Sequence, residues 1–166
     1  GHVVKYLGAL TVSGDLNPHG THVAGIIAAA ENNGVGGAGI APEANILNVR
    51  VLDSEGSAET STIISGVNSV TTSGRAAIIN MSLGGYFYSA SYEYAIRRAV
   101  NAGITVVVAM GNDGTNIKCY PAAFKIPGVI AVSSVAESGV LSSFSNYGSW
   151  ADVSAPGSAI MSTVPG

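Results

Sequence analysis

The sequence predicts an α/β fold: a three-layer arrangement with a mostly parallel central sheet and helices on both faces. Three observations lead there. Apolar runs of strand length alternate with segments whose apolar residues recur at helical spacing. One of those runs, Ile104–Met110, is almost wholly apolar and rich in β-branched residues, the pattern of a strand covered on both sides. Glycine, 22 of 166 residues, punctuates the joints, while 47% hydrophobic and 10% charged content describes a chain able to bury a core rather than a disordered one.

Taken in order, Val3–Tyr6 and Leu10–Val12 are short strand candidates. From Gly20 to Glu31, Val23, Ile26, Ile27 and Ala30 fall on one helical face, and Asn32-Asn33-Gly34 ends that helix. Ile46–Leu52 reads as a strand and Thr60–Thr71 as a helix with Ile63, Ile64, Val67 and Val70 inward. Ala76–Met81 is the next strand, and Ser89–Ala102 a helix turning Tyr92, Ala95, Ile96 and Ala99 inward. Ile104–Met110 and Val129–Val135 complete the strands. Strands that alternate with helices imply crossovers and parallel pairing. Neither a repeat nor a linker interrupts the pattern, so residues 1–166 are read as one domain.

Composition excludes several functions. A formal net charge of −3 with no basic cluster argues against nucleic-acid partners. Apolar runs stay short of the ~18 residues that suggest a membrane span. Cys119 is the only cysteine, so no internal disulfide framework exists, and a small buried thiol is a better reading of it than a nucleophile.

In parallel α/β sheets, sites form beyond the carboxyl ends of strands. Here Ala76–Met81 runs into Ser82-Leu83-Gly84-Gly85, and Ile104–Met110 into Gly111-Asn112-Asp113-Gly114. His19 opens a helix within Asn17-Pro18-His19-Gly20-Thr21-His22-Val23-Ala24-Gly25. A base, a glycine-lined edge and an amide donor together suit acyl transfer. The histidine and the asparagine each have a plainer reading: a structural histidine, and an asparagine that ends a strand in a Gly-Asn turn. His22, one turn after His19, reads as a packing residue. The pair lacks the Glu and the i,i+4 spacing of a zinc-protease helix. Gly34-Val35-Gly36-Gly37-Ala38-Gly39 matches the dinucleotide fingerprint in letters only, because a helix rather than a strand precedes it.

His19-Gly20-Thr21-His22-Val23-Ala24-Gly25 resembles the histidine motif of the subtilisin-like serine proteases, the subtilases (peptidase family S8). The similarity continues in the family's order through Gly39-Ile40-Ala41-Pro42, Val49-Arg50-Val51-Leu52, Asn80-Met81-Ser82-Leu83-Gly84-Gly85 and Gly111-Asn112, then Phe144-Ser145-Asn146-Tyr147-Gly148 to Ala155-Pro156-Gly157. The resemblance implies a serine-type endopeptidase working through an acyl-enzyme, with His19 as general base and Asn112 as side-chain oxyanion donor. It implies that Ser82, Leu83 and Gly84 form an edge where extended substrate adds as a strand, faced by a wall of Ala109, Met110 and Gly111. Gly56 to Ile63 would be the second rim, Ile63 meeting a more distant subsite. The loop after the first helix resembles a calcium loop, with Asn33 and the carbonyls of Val35 and Gly37 as donors for a structural calcium. Polypeptide substrates, a pro-segment or protein inhibitor, a monomeric state and secretion follow from the same likeness.

The family's acid and nucleophile have no counterpart here. Asp15, the only carboxylate before His19, reads as solvated, and Gly157-Ser158-Ala159-Ile160-Met161 comes too early for the serine motif. The chain is therefore expected to be the central fragment of a peptidase domain, incomplete at both ends and inactive alone. The alternative is a non-catalytic, peptide-binding subtilase-like domain.

Overall fold

The computed structural model describes residues 17–165, together with the backbone of residues 3–7. The expected strand at Leu10–Val12 and Asp15 lie outside the described residues. The chain divides into two compact units, Gly1–Asn80 with Met161–Gly166, and Met81–Ile160.

In the first unit, β1 (Val3–Leu7) lies between β2 (Asn45–Val49) and β3 (Ile78–Met81), which continues to the unit's boundary. Both pairings are parallel, with Val3 opposite Asn45 and Val4 opposite Ile78. Parallel neighbours cannot be joined by a hairpin. The connections here contain α1 (His19–Ala28) and α2 (Thr60–Ser73).

α1 stops earlier than its periodicity suggests, for an identifiable reason. The amides of Gly39, Ile40 and Ala41 donate to the carbonyls of Ala29, Ile26 and Ile27 at 2.8–3.0 Å, so the returning chain takes the acceptors of the last turn. Ala30, expected on the inward face, is exposed beyond the helix end, and Val23, Ile26 and Ile27 are half-buried. α2 matches its pattern more closely. Val67 and Val70 are fully buried, Ile63 and Ile64 half-buried, and Gly74 ends the helix in the left-handed conformation at φ 61°.

The second unit places β5 (Val129–Val135) between β4 (Thr105–Ala109) and β6 (Val153–Pro156), again all parallel. α3 (Ala90–Asn101) precedes β4; Ser89 caps it, its hydroxyl accepting from the Tyr92 amide at 3.3 Å. Tyr92, Ala95, Ile96 and Ala99 are all buried, as the periodicity requires.

β4 differs from expectation. Val106 and Val108 are buried, but Thr105 is exposed and Val107 and Ala109 are half-buried, so the strand is covered mainly on one face. Its β-branched content reflects strand propensity as much as burial. β6 was not anticipated. It is mostly exposed, among the described residues it pairs only with β5, and Pro156, without an N–H, closes it, so no run of apolar residues marks it.

Candidate active site

In the first unit, His19 is the first residue of α1 and is exposed. Pro18 occupies the capping position and has no side-chain donor or acceptor, so Asn17 takes over. Its Oδ1 accepts from the His19 amide at 3.1 Å, and its Nδ2 donates to the Ser54 carbonyl at 3.3 Å. One asparagine thus ties the start of the histidine helix to the loop before α2. Asp53 shapes that loop, its Oδ1 accepting from the amides of Glu55 and Ser57, each at 2.9 Å. Ile63 follows on the first turn of α2, half-buried.

His22 is half-buried, and its carbonyl accepts from the Ser162 hydroxyl at 2.6 Å, while Thr21's accepts from Thr163 at 2.8 Å. This contact explains Gly25. A Cβ there would fall 2.2 Å from Thr163 Oγ1, so only glycine lets residues 162–163 lie against the helix.

Asn33, Val35 and Gly37 line an open cavity of about 680 Å³ together with Ile26, Ala29 and Met161. Asn33 Oδ1 accepts from the Val35 amide at 2.9 Å, which folds the loop back on itself. Its donors are neutral oxygens, chemically suited to a hard cation. Among the described residues, no group of three or more His, Cys, Asp and Glu side chains could hold a metal.

In the second unit, the two strand-end segments both lie against Cys119. Ser82 and Leu83 are half-buried and Gly84 exposed just after β3; Ala109 ends β4, half-buried, followed by buried Met110, half-buried Gly111 and exposed Asn112. Cys119, 2% exposed, lies under both segments: a Cβ on Gly84 would come 2.8 Å from its sulfur, and one on Gly111 3.2 Å. Burial, and next the charge of Asp113, push this thiol above its usual range, against a lowering hydrogen bond from the Gly85 backbone. It is a neutral floor between two glycine walls, not an activated nucleophile.

The next segment is clamped. Gly85 and Tyr120 exchange backbone hydrogen bonds at 2.9 and 2.7 Å. The Phe124 ring packs edge-on to Tyr92 and Tyr88 at 5.5 and 6.0 Å and tilted on Tyr120 at 4.9 Å.

Sequence reasoning assigned no role to Asn146, although it stands inside one of the quoted motifs. Its side chain is fully buried, and Oδ1 accepts from the amides of Asp113 (2.9 Å) and Thr115 (3.2 Å). Nδ2 donates to the Tyr86 hydroxyl at 3.1 Å, and that hydroxyl donates to the Asp113 carboxylate. The Asn146 bond draws the Tyr86 phenol down, but the Asp113 hydrogen bond, burial and the Asp113 charge outweigh it and hold the group above its ordinary value. Ser158 belongs elsewhere, in a chain of hydroxyls running through Ser142 to Ser134 at 2.7 and 2.8 Å.

The model of the Subtilase family matches residues 7–165. This chain belongs to the subtilase family. It is 48% identical over 152 residues to a thermophilic serine proteinase of Bacillus sp. (strain AK1), covering 92% of this chain and 37% of that protein. It is 46% identical over 149 residues to thermitase of Thermoactinomyces vulgaris, covering 90% of this chain and 52% of that one. The chain therefore spans between about a third and a half of these relatives. Among solved structures, a cold-adapted subtilisin-like serine proteinase superposes with a TM-score of 0.84 at 34% identity, over 98% of this subtilase chain and 65% of that one. A psychrophilic subtilisin-like protease from an Antarctic Pseudoalteromonas (strain AS-11) gives 0.87 at 30% identity, over 98% and 43%. The α/β fold with a parallel sheet and helices is that of these proteins. None of the described helices is long and apolar enough to cross a membrane.

Proposed function

We propose that the full-length protein is a serine-type endopeptidase and that these residues supply its base, its oxyanion donor and much of its substrate cleft. The observation that carries the reading is that both strand ends lie against Cys119. Two glycine-containing walls there border a neutral floor, and exposed Asn112 follows directly on one of them. An extended peptide would pair its backbone with Ser82, Leu83 and Gly84, and the side chain before the scissile bond would enter between that edge and Ala109–Gly111. Ile63 would meet a side chain further along.

In this mechanism the His19 imidazole takes the proton of the attacking hydroxyl and returns it to the leaving amine. Negative charge then develops on the carbonyl oxygen, and the Asn112 amide N–H donates to it. This donor strengthens only as charge builds, so it lowers the barrier without tightening ground-state binding. In subtilisin, a relative, loss of the side-chain oxyanion donor is known to cost about 10²–10³ in turnover, which sets the size expected for Asn112→Ala.

The reading extends to secretion, a monomeric enzyme, and a pro-segment or protein inhibitor as further partner. It includes a structural calcium held by the Asn33 side chain and the carbonyls of Val35 and Gly37, with no part in the chemistry.

The test uses the full-length protein. His19→Ala should lower kcat on a peptide amide by about 10⁴-fold or more and abolish labelling by a fluorophosphonate, with KM little changed. Unchanged hydrolysis would remove His19 from the mechanism. Peptide binding with neither hydrolysis nor labelling in the wild type would establish the binding domain instead.

A further inference from the structure

We infer that Asn146 is a positioning residue for the oxyanion donor, a role that rests on the proposed assignment of Asn112. The contacts surround Asn112 without touching its side chain. Asn146 donates its own amide to the Gly111 carbonyl at 3.0 Å, and its Oδ1 accepts from the amides of Asp113 and Thr115. The peptides on both sides of Asn112 are therefore held by a single residue. Tyr86 closes the arrangement, its hydroxyl accepting from Asn146 Nδ2 and donating to the Asp113 carboxylate. Two further backbone bonds, Gly114 to Phe144 at 2.7 Å and Tyr147 to Thr115 at 3.0 Å, hold the same two segments together.

Only a short carboxamide does this in a fully buried position. The oxygen has two acceptor sites for two amides, and the nitrogen supplies the donor that Tyr86 takes. An apolar residue of the same size would leave two loop amides without acceptors, and a longer glutamine would have to displace the segment. Gly111 is matched to it: a Cβ there would lie 2.3 Å from Asn146 Nδ2. With both flanking peptides fixed, the direction in which Asn112 leaves the backbone is fixed too. An oxyanion donor is sensitive to this, since a displacement of about 1 Å can cost about 100-fold in rate. The effect belongs in kcat, because the charge being met exists only in the transition state.

The experiment is a double-mutant cycle on the full-length protein with a peptide amide substrate. Asn146→Ala removes all three side-chain bonds. Tyr86→Phe removes one and leaves a side chain that is 41% exposed, so it keeps the fold if the alanine variant does not. Each is combined with Asn112→Ala. The expected result is a fall in kcat of about 10-fold for Asn146→Ala and a smaller one for Tyr86→Phe, each with KM within about twofold. Neither should lower kcat further once Asn112 is already alanine. A merely structural role would give losses that multiply with that of Asn112→Ala, or a change in KM or stability alone; either result overturns the inference while leaving Asn112 as donor. If Asn112→Ala itself leaves kcat unchanged, the assignment of Asn112 fails, and the role of Asn146 falls with it.

Discussion

Gly111→Ala is a severe test of the packing beneath the candidate site. Gly111 sits at φ +102°, where an L side chain is strained; such a conformation costs about 1–3 kcal/mol. The added Cβ would also lie 2.3 Å from Asn146 Nδ2, 3.1 Å from its Cγ and 3.2 Å from Cys119 Sγ. None of these is the free end of a flexible chain: the amide is held by three hydrogen bonds and the thiol is buried. Overpacking of this kind costs a further 1–3 kcal/mol or so. Together the two costs come to about 2–6 kcal/mol. Gly85→Ala is the control, the same chemical change at a site with nothing within 4 Å of the new methyl and no left-handed φ; it should stay within about 1 kcal/mol of wild type. Urea unfolding of the full-length protein measures both, in a His19→Ala background so that self-cleavage does not interfere. A difference below about 1 kcal/mol between the two variants would refute the packing argument and show that the Asn146 amide gives way without cost.

The Cys119 thiol should react slowly with an aromatic disulfide reagent at neutral pH and at once in urea. Because burial raises its folded pKa, its contribution to stability is fully present below the unfolded thiol value of about 8.5 and is lost as pH rises through the folded one. Stability of the full-length protein should therefore fall on the alkaline side, and Cys119→Ala should flatten that fall; an unchanged pH profile would count against it. Chelation of divalent cations should lower the melting temperature of the full-length protein, and Asn33→Ala should make it insensitive to added calcium. A calcium response surviving in Asn33→Ala would place the ion elsewhere.

Much of the fold was open to a reader of the sequence. α3 is the clearest case: Tyr92, Ala95, Ile96 and Ala99 recur at helical spacing and all four are buried, because a single helix buries one face whatever it packs against. Parallel pairing followed from alternation of strands and helices, since parallel neighbours need crossovers. The family followed from motif order, which survives where isolated motifs mislead: Gly34–Gly39 spells a nucleotide fingerprint yet follows a helix. Periodicity was less informative where the chain is amphipathic for other reasons. Ala30 continues the spacing of α1 but lies past its end, because amides from residues 39–41 take the last carbonyls.

By itself, then, the sequence determined the alternation of elements, the inward face of α3 and membership of the subtilases, all properties written in local spacing or motif order. Only the tertiary structure decided that β6 exists, that Cys119 lies under both Gly84 and Gly111, and that Asn146 holds the segment around Asn112. Asn146 bonds to Asp113 across 33 residues and to Tyr86 across 60. The motif around Asn146 marks the family, but local spacing gives that asparagine no role of its own. Its importance comes from burial, which removes water as an alternative partner and leaves its amide as the acceptor for two loop N–H groups.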